Sequence, residues 1–171
     1  TPAMLLSFPD RNPVSVVATS KTAAFFGTST AAIKYRKSIK TDPKLLLAMV
    51  IPAFIGACGG ALLASHISPQ SFKSSIFFMM IAIFIYTLFK PDLGKVHVEK
   101  HSSRKLMWIG AIAAFFIGFY DGLIGPGTGT MLMIALVAIM GFAFVGASAI
   151  AKVVNATTNL ASIIVVGLKI G

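Results

Sequence analysis

An all-helical bundle of membrane-spanning segments is the fold class this sequence predicts, on three observations. Residues 45–72, 74–89, 106–120 and 122–151 contain no Asp, Glu, Lys or Arg. Basic clusters separate these blocks. A run of glycines interrupts the last of them. The chain has 171 residues, of which 56% are hydrophobic and 12% charged, and its mean hydropathy is +0.86. Soluble domains carry about 25% charged residues. About 20 apolar residues span a bilayer, so blocks of this length predict membrane segments, more of them than a buried core needs.

Taken in chain order, residues 2–8 read as the tail of a first membrane element, and 10–12 as a short outside turn. Residues 13–33 form the next helix, and 34–44 a basic loop. Residues 45–67 form a third span, with 68–70 as an outside turn. Residues 72–89 form a fourth, followed by the basic, polar loop 90–105. Residues 106–142 are a long apolar region broken in its middle, and 143–168 are the last helix present.

Charge is placed unevenly. Ten of the fifteen Lys and Arg are Lys34, Arg36, Lys37, Lys40, Lys44, Lys90, Lys95, Lys100, Arg104 and Lys105. Cytoplasmic loops concentrate such residues, so loops 34–44 and 90–105 are expected on the cytoplasmic side. The net charge of +10 therefore reflects membrane orientation, and nucleic acid is not an expected partner. The partners expected are the lipid bilayer and a small anionic substrate. Cys58 is the only cysteine, which excludes an intramolecular disulfide and a cysteine metal cluster. His66, His97 and His101 lie in turns or loops without metal-ligand spacing. No cofactor or metal is expected. No Ser–His–acid arrangement is legible either, so an enzyme is disfavoured.

Residues 106–142 would make roughly 55 Å of continuous helix, well beyond a hydrocarbon core of about 30 Å. The break is Gly122-Leu-Ile-Gly-Pro-Gly-Thr-Gly-Thr130. Glycine and proline at this density do not hold a regular helix. Freed backbone at membrane depth is tolerated only against protein or water. Two half-helices or a re-entrant pair both fit. The run is no phosphate-binding loop, because Thr128 stands where lysine is needed after Gly127.

Lys152 is the one charge between Asp121 and Lys169. Ser148, Lys152, Asn155, Asn159 and Ser162 recur at helical steps and share one face. A charge at mid-membrane depth costs roughly 2.5–3.5 kcal/mol on insertion scales, which marks a substrate or ion pathway. Backbone N–H groups at Gly125, Gly127 and Gly129, with the start of the half-helix near Thr130, attract an anion. Lys21 and Lys152 add positive potential. Thr128, Thr130, Asn155, Thr158 and Asn159 add neutral hydrogen bonds. The set describes a small-oxyanion site, although the glycines equally permit a mere kink and helix crossing. Asp121 has three readings: a proton-coupling group, the ion-pair partner of Lys152 or Lys21, or an N-cap after the break. Lys21 can also snorkel to the outside interface.

A weak internal repeat at an offset of 131 aligns Val14 with Val145, Ala18 with Ala149, Lys21 with Lys152, Ile33 with Ile164 and Ile39 with Ile170. It divides the chain into residues 1–105, a first repeat short of its N-terminus plus the cytoplasmic loop, and 106–171, a second repeat short of its C-terminus. Repeats that meet at broken helices characterise transporters. Small residues at Gly110, Ala114, Gly118 and Gly122, and at Ala23, Gly27 and Ala31, predict close helix packing. Such faces also admit a homo-oligomer, or a non-transporting accessory or assembly subunit that uses them for partner helices.

Gly118-Phe-Tyr-Asp-Gly-Leu-Ile-Gly-Pro-Gly-Thr-Gly129, Gly141-Phe and Ala151-Lys-Val-Val-Asn-Ala-Thr-Thr-Asn159 resemble the sulfite exporter TauE/SafE family, in particular a bacterial inner-membrane branch with a Gly-Phe-Tyr-Asp-Gly motif. Ala18-Thr-Ser-Lys21 followed by Tyr35-Arg-Lys37 is similar to its first-repeat motif. The family's glycine-rich stretch before that motif is absent here. The resemblance implies a two-halved transporter of small sulfur-containing or organic anions, such as sulfite or sulfoacetate, usually moved outward. It also implies a bacterial inner-membrane location.

Overall fold

The computed structural model describes residues 4, 7, 13–38, 42–68, 70–71, 74, 76–78, 81–82, 84–85 and 103–170. Five α-helices organise them: α1 (Pro13–Ser38), α2 (Pro43–Ala64), α3 (Ser103–Leu123), α4 (Thr128–Ile134) and α5 (Phe144–Ile170). A π-helical turn, Ala135–Ile139, extends α4. Met4, Ser7 and the described residues between 70 and 85, apart from the neighbouring turn at 65–68, are helical as well. The expected all-helical class is therefore the observed one, with no strand among the described residues.

Among the described residues, three helices are long and apolar enough to cross a membrane: Pro43–Ala64, Arg104–Leu123 and Phe144–Lys169. The expected helix at 13–33 exists and continues to Ser38, but it is not one of the three. Lys21 and a series of hydroxyls dilute its hydropathy. Thr19, Thr28 and Thr30 turn those hydroxyls back onto the carbonyls of Ser15, Ala24 and Phe26. Back-bonding of this kind lets a helix carry hydroxyls without unpaired donors. The expected loop at 34–44 is mostly helical: residues 34–38 continue the first helix and 43–44 begin the next, while 39–41 lie outside the described residues, as does 90–102 of the loop expected at 90–105.

α2 starts where Asp42 caps it. The Asp42 carboxylate accepts the Lys44 backbone N–H at 2.9 Å, and Pro43 occupies the first helical position, where its missing N–H costs nothing. α2 and α3 then pack with their backbones in near contact. A Cβ built on Gly118 would lie 2.4 Å from the Ala53 carbonyl oxygen, and one on Gly122 only 2.0 Å from that of Ala57. Gly56 and Gly60 meet the carbonyls of Phe115 and Phe119 in the same way. Residue numbers rise together along this seam, so the two helices are parallel and start at the same membrane face.

The expected close packing at Gly110, Gly118 and Gly122 is thus present, but that at Gly27 is not. A Cβ on Gly27 would meet nothing within 4 Å, so this side of α1 is open among the described residues. The main core lies between α2, α3, the α4–π segment and α5, around Met49, Ala53, Ala114, Leu132, Leu136, Ile150 and Val154. Val17, Tyr120 and Ile124 join Ala64 and Ile76 in a second cluster, and α1 packs on α5.

Candidate functional site

The chain leaves helical geometry between Leu123 and Thr128. Gly125 has φ 92° and Gly127 φ 84°, left-handed values that side chains with a Cβ rarely adopt. The Gly125 N–H reaches back to the Tyr120 carbonyl, the usual way to close a helix end with glycine. The Tyr120 hydroxyl donates to the Pro126 carbonyl and pins the loop to α3. Helix ends leave carbonyls without main-chain partners. The Asp121 carbonyl is taken up by the Lys21 ammonium from α1.

The same ammonium donates to Asp121 Oδ2 at 3.0 Å. Lys21 is 5% exposed and Asp121 2% exposed, so this is an ion pair inside the bundle. Of the three readings of Asp121, pairing with Lys21 is the geometry observed. Lys152 is not its partner. Asp121 is not an N-cap either: it lies in the last turn of α3, and Gly127 caps α4 without a side-chain bond. Nor does Lys21 snorkel. Asp121 Oδ1 accepts the Thr128 hydroxyl at 2.6 Å; the Gly125 carbonyl, 2.7 Å from the same oxygen, competes for that proton. A carboxylate is the stronger acceptor of the two. The pair is therefore held from both sides of the break.

Beside it lies a cavity of about 140 Å³. Lys21, Asp121, Gly125, Gly127, Thr128, Gly129, Asn155 and Asn159 all line it, with Val17, Ser20 and Ala24 completing the wall. One water needs about 10–15 Å³ on this measure, and drug-sized pockets run about 300–1,000 Å³. The space suits a small ion with its water. Asn159 Nδ2 donates to Asn155 Oδ1 at 3.4 Å, which orients the two amides as a unit.

Lys152 is not in the lining. It is half-buried and has no hydrogen bond or ion pair among the described residues. The rest of its stripe is mostly internal to the protein. Ser148 reaches the Met133 sulfur at 3.5 Å, Thr158 bonds the Asn155 carbonyl, and Ser162 bonds the Thr158 carbonyl. The reading of the sequence omitted Val17, Ser20 and Ala24. Their signal was available: Val17 and Ala24 sit four and three positions from Lys21, on the face of α1 that carries it, and Ser20 is its neighbour in the chain.

A buried ion pair and paired amides, gathered around a broken helix in an apolar bundle, define a polytopic membrane protein with a polar site among its helices. The chain belongs to the Sulfite exporter TauE/SafE family, whose sequence pattern matches residues 1–170. Among curated relatives, a "Probable membrane transporter protein" of Haemophilus influenzae is 35% identical over 161 residues, covering 94% of this chain and 62% of the relative. "Probable membrane transporter protein ORF9" of Sinorhizobium sp is 34% identical, over 93% of this chain and 59% of the relative. "Probable membrane transporter protein YfcA" of Escherichia coli K12 is 33% identical, over 90% and 56%. The chain thus spans about three-fifths of the length of these relatives. No solved structure matches it significantly.

Proposed function

We propose that the protein exports small oxyanions, with sulfite and sulfur-containing organic acids as the substrate class, through the cavity beside Lys21 and Asp121. The observation that carries this reading is the Lys21–Asp121 pair at the wall of a small polar cavity inside an apolar bundle. Lys21 is the cation the anion meets. Two of its three ammonium protons are taken by Asp121, and one is left for a third acceptor. The Asn155 and Asn159 amides supply neutral hydrogen bonds, and the Gly125–Gly129 backbone lets the anion come close. Lys152, outside this cavity, adds positive potential at longer range.

Proton coupling follows from competition for Lys21. While Asp121 is ionised it neutralises the ammonium, and an anion gains little. When Asp121 takes a proton, the ammonium is free to hold the anion. Proton and anion therefore bind together. A dianion moving with one proton still carries net negative charge, so an inside-negative potential drives it outward. Membership of a family described as a sulfite exporter supports the substrate class and the direction.

The test is flux of sulfite and a panel of small organic anions by the full-length protein in proteoliposomes, with and without a pH gradient. Flux that Lys21→Met abolishes and that the gradient modulates is the expected result. Flux of no anion by folded, correctly oriented protein would overturn the proposal in favour of an accessory subunit.

A further inference from the structure

A second cavity lies apart from the polar site. It is an apolar groove of about 590 Å³ between the first halves of α2 and α3. Leu47 and Ile51 form one wall, Met107 and Trp108 the other, and Lys44 and Arg104 stand at its mouth. Leu47, Ile51 and Trp108 are 59%, 52% and 67% exposed, so the groove faces outward from the bundle among the described residues.

Its depth and charge fit one kind of molecule. Lys44 and Arg104 are each the second residue of their helices, which are parallel, so both cations mark the same membrane face. From them the groove descends along α2 to Pro52 and along α3 to Ala111. Seven or eight residues of helix are roughly 10–12 Å, the upper part of an acyl chain. Trp108 lies one turn below Arg104, and tryptophan favours the level between headgroups and hydrocarbon. Helix N-termini add partial positive charge beside the two cations. Asp42, the described acid at this end, is turned to cap its own helix.

We infer that this groove binds one anionic glycerophospholipid, its phosphate on Lys44 and Arg104 and an acyl chain between the α2 and α3 walls. The charge at the mouth selects an anionic headgroup over a zwitterionic one; the apolar walls select a lipid over free phosphate. The inference is independent of what the Lys21 cavity carries.

Trp108 is the chain's single tryptophan, and its fluorescence reads the groove. The full-length protein would be placed in bilayers containing phosphatidylglycerol or phosphatidylethanolamine with brominated chains, with Trp108→Phe as the blank. Brominated phosphatidylglycerol should quench Trp108 at about 30-fold lower mole fraction, since each juxtamembrane cation contributes a factor of roughly five on an anionic lipid. The exposed double substitution Lys44→Gln with Arg104→Gln should abolish that preference, and inorganic phosphate should leave it intact. Equal quenching by both lipids would overturn the inference, leaving ordinary solvation by lipid. Absence of quenching by either would overturn it too, because protein, from the same chain or a second copy, then fills the groove.

Discussion

Lys21 of α1 and Asp121 of α3, one hundred positions apart in the chain, meet at 3.0 Å inside the bundle. Removing one partner of a buried pair costs about 3–5 kcal/mol, because the other charge is left uncompensated. Lys21→Met and Asp121→Asn should each lower the thermal unfolding midpoint in detergent. The double variant should recover most of the loss. All three should fail to move anion. A double variant that is stable and still active would remove the pair from the transport cycle.

The two lysines that the expected repeat aligns should not behave alike. Lys21 lines the cavity and is paired, whereas Lys152 is half-buried and outside the lining. Lys152→Met should fold and retain a larger share of flux than Lys21→Met, measured side by side in proteoliposomes. The opposite order would make Lys152, and not Lys21, the cation the anion meets.

Two glycines of the break should separate strain from selectivity. Gly125→Ala forces a Cβ onto a left-handed backbone and within 3.3 Å of the Lys21 Cε atom, so it should destabilise by about 1–2 kcal/mol and disturb the ion pair. A Cβ on Gly129 would meet only the Asn155 Nδ2 atom, at 3.7 Å, which is ordinary contact. Gly129→Ala should therefore fold normally and narrow the cavity. Flux of larger organic anions should fall more than flux of sulfite, and equal losses would argue against binding at this wall.

Helix contacts supply a fourth prediction. Gly122→Ala places a methyl 2.0 Å from the Ala57 carbonyl oxygen, where only backbone displacement can make room. Purified yield and unfolding midpoint should drop sharply. Gly27→Ala meets none of the described residues within 4 Å and removes a helix-weakening glycine, so its midpoint should hold or rise by the equivalent of roughly 0.5–1 kcal/mol.

Much of this was legible in the chain, and the gaps have physical causes. Glycine and proline announce the break at 124–127 because their backbone preferences are local. The π-helical turn Ala135–Ile139 was not legible. Ala-Leu-Val-Ala-Ile carries no breaker, and the turn is set by the Met140 N–H reaching the Ala135 carbonyl ahead of left-handed Gly141. Asn155 and Asn159 were found because a helical stripe has a period. Asp121 was found because an isolated acid beside a break is rare. Its partner was not, since two lysines had equal claims and a pairing across one hundred residues leaves no periodic trace. Lys152 drew attention through its isolation. Isolation measures what burying a charge costs, and says little about which way the side chain turns.

The glycine seam between α2 and α3 bears on how such a site could open to each side in turn. With carbonyl oxygens where side chains would otherwise stand, these two helices have no layer of rotamers to slide on. Shear between them would break close backbone contact at Gly56, Gly60, Gly118 and Gly122 together. They are built to move as one body. Lys21 belongs to α1 and its acid to that body, so the salt bridge ties together two parts that an opening of the proposed site would separate.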